Sequence, residues 1–152
     1  WIYIQAGMKI PTQAFLDSVQ PKKVYYFGST KLNTGVPHYF ICVSRLDGGM
    51  LILVCCTSQF EKRKNYIEKA NLPFSTLVWI NPDTENGLEI DSYVDCNSYF
   101  DYSIEEFKNF YENDKLEFKG EISDTHFEQI LIGLKASPIV EENIKEILPN
   151  IE

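Results

Sequence analysis

Histidine is scarce in this chain of 152 residues: His38 and His126 are the only two. Four cysteines sit at positions 42, 55, 56 and 96, and none belongs to a Cys-x-x-Cys pair. The clustered ligands of a zinc site are therefore missing from the sequence. No apolar run approaches the roughly 18 residues of a membrane-spanning helix. The longest, Met50 to Cys56, has the length of a strand. Internal repeats and low-complexity tracts are missing too, which leaves no sign of a solenoid. No secretion signal is visible. Trp1 to Gly7 are uncharged, precede Met8 and resemble the remnant of a protease-cleavage linker. The expectation is a native start at Met8 and a single domain over residues 8–152.

What is present suits a packed core. Hydrophobic residues make up 44% and aromatics 14%, too much for a globally disordered chain. The cysteines read as reduced, small hydrophobes, with Cys55 and Cys56 on opposite faces of one strand. Free thiols imply a reducing compartment, so a cytoplasmic location is expected. Net charge is −8, which taken alone argues against nucleic acid as a partner. Its distribution qualifies that. Residues 1–80 hold nine Lys/Arg against four Asp/Glu, and residues 81–152 hold five against eighteen. A basic working surface on an acidic protein gives this pattern, and so does a pair of solvated acidic helix faces.

Periodicity predicts a helix over Ile10–Gln20 and then a run of strands. These are Val24–Phe27, His38–Ser44, Met50–Ser58, Ser75–Ile80, and one or two more between Leu88 and Tyr102. Asp47-Gly48-Gly49 is a hairpin turn. Gln59–Ala70 is either a short helix or a long loop. Ser103-Ile104-Glu105-Glu106 is a capping box that opens a helix carrying Phe107, Phe110 and Tyr111. Leu116–Gly120 looks extended. A helix from Ser123-Asp124 carries Phe127, Ile130, Leu131 and Leu134, and Glu141–Leu148 is a last short one. The fold class is α+β, a small twisted sheet or barrel with helices appended.

The order of several short segments resembles the MazF/PemK family of toxin endoribonucleases. The strand VYYF (24–27) precedes a Gly/Ser-containing loop. ICVS (41–44) and VCCTSQ (54–59) end the next two strands. Gly87-Leu88 with Asp91-Ser92-Tyr93-Val94, then Lys119-Gly120-Glu121-Ile122-Ser123 and Lys135-Ala136-Ser137, follow in the family's order. The resemblance spans roughly residues 22–137. It implies an SH3-like β-barrel of about five or six short, mostly antiparallel strands. It also implies the toxin of a type II toxin–antitoxin system, acting as a homodimer that cleaves single-stranded RNA without metal or cofactor and is neutralised by an antitoxin. The chain departs from the family at one place: His38 and Tyr39 stand where an Arg-Pro pair usually opens the second strand.

Metal-independent RNA cleavage needs a base for the 2′-hydroxyl, an acid for the leaving 5′-oxygen and donors for the charged phosphorane. An imidazole, with an ordinary pKa of about 6.5, serves as acid or base, which makes His38 a catalytic candidate. Its structural alternative is a hydrogen-bonded cap at a strand start. Thr57 and Ser58 match the family's catalytic Thr/Ser position, and they also suit the turn that follows. Lys31, Arg45, Lys62, Arg63 and Lys64 are the cations available to RNA. Arg63 is preferred for transition-state charge because guanidinium fits phosphate. Tyr25, Tyr26 and Tyr39 offer rings for base stacking, with core packing expected for at least one. The carboxylates Asp91, Asp95 and Asp101 show no recognised metal-nuclease spacing, and His126 is given no role. Two other readings stay open. One is a non-catalytic SH3-like-barrel module binding nucleic acid or protein; the other is an interaction protein whose acidic helices hold a basic partner.

Overall fold

A computed structural model describes residues 9–32 and 34–150. The proposed linker, Trp1–Gly7, and the proposed start at Met8 lie outside the described residues. Among the described residues there are seven strands and five α-helices. In chain order they are α1 (Thr12–Ser18), β1 (Lys23–Phe27), β2 (His38–Arg45), β3 (Met50–Thr57), α2 (Phe60–Lys69), β4 (Leu77–Ile80), β5 (Ser92–Asp95), β6 (Phe100–Ser103), α3 (Ile104–Glu112), β7 (Leu116–Glu121), α4 (Asp124–Ala136) and α5 (Glu142–Glu146). The ambiguous Gln59–Ala70 segment is therefore the helix α2. The stretch Asn97–Tyr99 is a turn rather than strand, because it carries a buried polar network described below. The capping box forms: Ser103 Oγ accepts from the Glu106 amide at 3.1 Å, and Glu106 Oε1 accepts from the Ser103 amide at 2.8 Å.

The fold is α+β on one antiparallel sheet in the order β4-β5-β3-β2-β1-β7. β3 changes partner along its free side. Its first half, Met50–Leu53, pairs with β6, and its end, Cys56–Thr57, pairs with β5. Seven strands replace the expected five or six, because the extended Leu116–Gly120 segment pairs with β1 as a full edge strand.

Alternation along the central strands builds two cores. Val24, Ile41, Val43, Ile52, Val54 and Cys56 face one side, where they meet β4, β5 and the Ile130, Leu131 and Leu134 stripe of α4. Tyr25, Phe27, Phe40, Cys42, Leu51 and Leu53 face the other, under α1 and α3. β3 is thus buried on both faces, as its continuous apolar run predicts.

Two register shifts, one between Cys42 and Ser44 and one in the β1–β7 pairing, increase the twist of the sheet. Among the described residues the sheet does not close by strand pairing. Its two ends meet through a loop: the Glu121 amide of β7 donates to the Glu85 carbonyl of the β4–β5 loop at 2.9 Å. The approach requires glycine on both sides. A Cβ on Gly120 would run into the Glu85 carbonyl oxygen, and one on Gly87, at φ +72°, into that of Lys119.

Candidate functional site

The hairpin register decides which side chains meet. Phe40 stands opposite Cys55 and Ile41 opposite Val54. Two residues further along the same register, His38, the first residue of β2, faces Thr57, the last of β3. Directly opposed strand residues hold their Cβ atoms about 5 Å apart on one face. His38 and Thr57 are half-buried at the end of the sheet, where the core gives way to solvent.

Beside them lies a cleft of about 240 Å³. It opens where β3 leaves β6 and joins β5, so its floor is Cys55 and Phe100 and its far wall is Asp95 and Ser98. Arg63 reaches it from α2, the helix that starts three residues after Thr57. Phe60 opens α2 at that point, so the positive end of the helix dipole lies on the Thr57 side of the cleft.

Hydrogen bonds set the state of each group. His38 Nδ1 lies 3.0 Å from the Val36 carbonyl oxygen. A proton on Nδ1 satisfies that carbonyl and leaves the Nε2 lone pair outward, the form a general base requires. Thr57 Oγ1 accepts from the Gln59 amide at 3.1 Å and keeps its own hydroxyl proton for donation. Arg63 Nη1 is 3.4 Å from Asp95 Oδ2, and the guanidinium carbon is 5.4 Å from the Tyr66 ring centre. Asp95, with 8% of its side chain exposed, is itself held by Asn97, whose amide and Nδ2 donate to Oδ1 at 3.0 and 2.9 Å. Burial pushes the Cys55 thiol up to about 12. It therefore stays a neutral floor group rather than a nucleophile.

The other expected residues divide. Ser58, Tyr39 and Lys62 line a second hollow of about 370 Å³, which shares His38, Thr57 and Gln59 with the first. Lys62 and Lys64 form no ion pair among the described residues. Lys31 is drawn away to Asp101, 3.1 Å from Oδ1, and lies over the Tyr102 ring at 4.3 Å. Arg45 sits apart from the group. It ends the same strand that His38 begins, about 23 Å away at the usual rise. Its Nη1 donates to the Leu16 and Val19 carbonyls at 2.6 and 2.8 Å, closing the C-terminal end of α1. Tyr25 is wholly buried in the second core, while Tyr26 stays partly exposed beside Tyr39.

Asp91, Asp95 and Asp101 do not converge, and among the described residues no three His, Cys, Asp or Glu side chains group as metal ligands would. Several basic residues of the first half pair with acids of the second: Lys22 with Asp124, Lys23 with Glu121, Lys31 with Asp101 and Arg63 with Asp95. The charge asymmetry of the sequence is thus partly spent within the fold. Sequence reasoning missed Asp95, Ser98, Phe100 and Gln59 as members of the cleft. No local motif marks them, since the split of β3 between two partners brings them there. Compared with known families and with curated proteins, the chain matches no family model and no curated protein.

Proposed function

We propose that this protein is a metal-independent endoribonuclease of the MazF/PemK type, a toxin acting on single-stranded RNA in the cytoplasm. The observation that carries the reading is the meeting of His38, Thr57 and Arg63 around one cleft. On this reading the curled sheet is a variant of the SH3-like barrel, and the Glu121–Glu85 contact stands in for the closing strand pair. The cognate antitoxin and the homodimer belong to the same proposal.

On this reading the three side chains divide the chemistry. His38 Nε2 takes the proton of the 2′-hydroxyl. The freed oxygen attacks phosphorus and forms a 2′,3′-cyclic phosphate, while the bond to the 5′-oxygen breaks. Arg63, already set by Asp95, neutralises the phosphorane oxygens, and the Thr57 hydroxyl donates to one of them. His38, now carrying the proton on Nε2, returns it to the departing 5′-oxygen. The catalytic cation thus comes from α2, which fits a second strand that opens on His-Tyr instead of Arg-Pro.

The test is single-turnover cleavage of a mixed-sequence RNA in EDTA, with end-group analysis. Wild type should leave cyclic phosphate and 5′-hydroxyl ends. His38→Ala should lose at least about a hundredfold in rate. Thr57→Ser should keep most activity and Thr57→Val little. Absence of cleavage by fresh wild-type protein sinks the enzyme reading. A non-catalytic module would then be favoured by one observation: Thr57 Oγ1 and Arg63 both already have partners within the fold.

A further inference from the structure

The end of the β2–β3 hairpin is a wall with a hollow on each side. His38 and Thr57 point to the face of Phe40 and Cys55, toward the cleft floored by Phe100. Tyr39 and Cys56, one residue along each strand, point to the opposite face. There they line the second hollow together with Tyr26, Lys62 and Ile90. The two hollows share His38, Thr57 and Gln59.

The second hollow has its own character. Tyr39 and Tyr26 are cross-strand partners with ring centres 4.7 Å apart at 48°. Lys119 Nζ lies 5.6 Å from the Tyr26 ring centre and is paired with Glu117 Oε2 at 2.8 Å. Ile90 leaves 59% of its surface open, and Ser58 and Gln59 supply exposed polar edges. An aromatic shelf, an exposed apolar side chain and a nearby cation, here Lys62, suit an unpaired base.

We propose that an RNA strand crosses this wall, with the scissile phosphate on the His38–Thr57 edge and two successive bases in the hollows on either side. One base stacks on Tyr39, and this stacking holds the nucleotide next to the cut. The inference rests on the ribonuclease reading of the cleft. It also accounts for single-stranded substrate, because neighbouring bases in a duplex stay stacked and cannot part around a wall. Tyr39 also packs against the core, so the variant of choice is Tyr39→Leu, which keeps apolar bulk but has no ring face.

The experiment compares wild type, Tyr39→Leu and Tyr39→Phe on short RNAs carrying an abasic nucleotide on one or the other side of a mapped cut. In wild type, one of the two abasic positions should raise KM about tenfold. In Tyr39→Leu, KM should already be raised about tenfold, and that same abasic change should add nothing. Tyr39→Phe should behave as wild type. Equal abasic penalties in wild type and Tyr39→Leu overturn the stacking site while leaving the nuclease intact. If wild type cuts none of the RNAs, the nuclease reading fails by itself. The same comparison by fluorescence anisotropy, with 2′-O-methyl oligonucleotides, then decides this site. A Kd shift that depends on the Tyr39 ring upholds it as a base-binding surface, and its absence removes it.

Discussion

Replacing Asn97 by alanine tests the support beneath the cleft. Asn97 is 5% exposed, in the turn between β5 and β6. Its Nδ2 donates to Thr76 Oγ1 and Asp95 Oδ1, both at 2.9 Å, and its Oδ1 accepts from Ser137 Oγ at 2.7 Å. Ser137 in turn receives the amides of Ile139 and Val140 at 3.1 and 3.3 Å past the end of α4. One side chain therefore joins the entry to β4, the end of β5 and the exit of α4. The two neutral bonds contribute about 1 kcal/mol each and the bond to the carboxylate about 2, so Asn97→Ala should cost about 4 kcal/mol. At about 3 °C per kcal/mol for a chain of this size, the melting midpoint should fall by about 12 °C. Thermal melts followed by circular dichroism, with urea unfolding to check that the m-value is unchanged, measure it. Ser98→Ala, one residue further and exposed, should shift stability by less than about 0.5 kcal/mol. A fall of under 3 °C for Asn97→Ala would refute the claim that this network ties the three elements together.

Gly120→Ala should cost about 3 kcal/mol, because the obstacle is the Glu85 backbone, whereas Gly28→Ala, with open space around it, should be near neutral; urea midpoints separate the two. Arg45→Met should lower stability by about 1–2 kcal/mol through the lost α1 carbonyl partners and leave RNA cleavage unchanged, which a melt and a cleavage assay on the same sample resolve. Asp95→Asn should slow cleavage about tenfold by freeing Arg63, with a smaller effect once Arg63 is already lysine; additive effects would show that the pair does not act together. Burial raises all four thiols, Cys42, Cys55, Cys56 and Cys96, above their ordinary pKa of 9.0, so the folded state keeps protons that the unfolded state loses as pH climbs past 9. The thiol contribution to stability is then full well below pH 9 and falls by about 5 kcal/mol per pH unit between pH 10 and 11, and a flat stability profile between pH 9 and 11 would contradict it.

Much of the fold was legible along the chain because its signals are local. The apolar run of β3, the Asp47-Gly48-Gly49 turn, the Ser103 capping box and the Phe127–Leu134 stripe each specify an element through contacts within a few residues. Strand alternation also separates the two faces, since Tyr25 and Phe27 follow Val24 with period two. The sequence by itself therefore determined the α+β class and the central strands. The register shift between Cys42 and Ser44 is what sets His38 opposite Thr57 rather than Ser58. Only the tertiary structure decided what surrounds that pair. Asp95, Phe100 and Arg63 reach the cleft because β3 exchanges β6 for β5 midway, and Arg45 leaves it because α1 packs at the far end of β2. Such placements depend on contacts between residues far apart in the chain, and no local spacing encodes them.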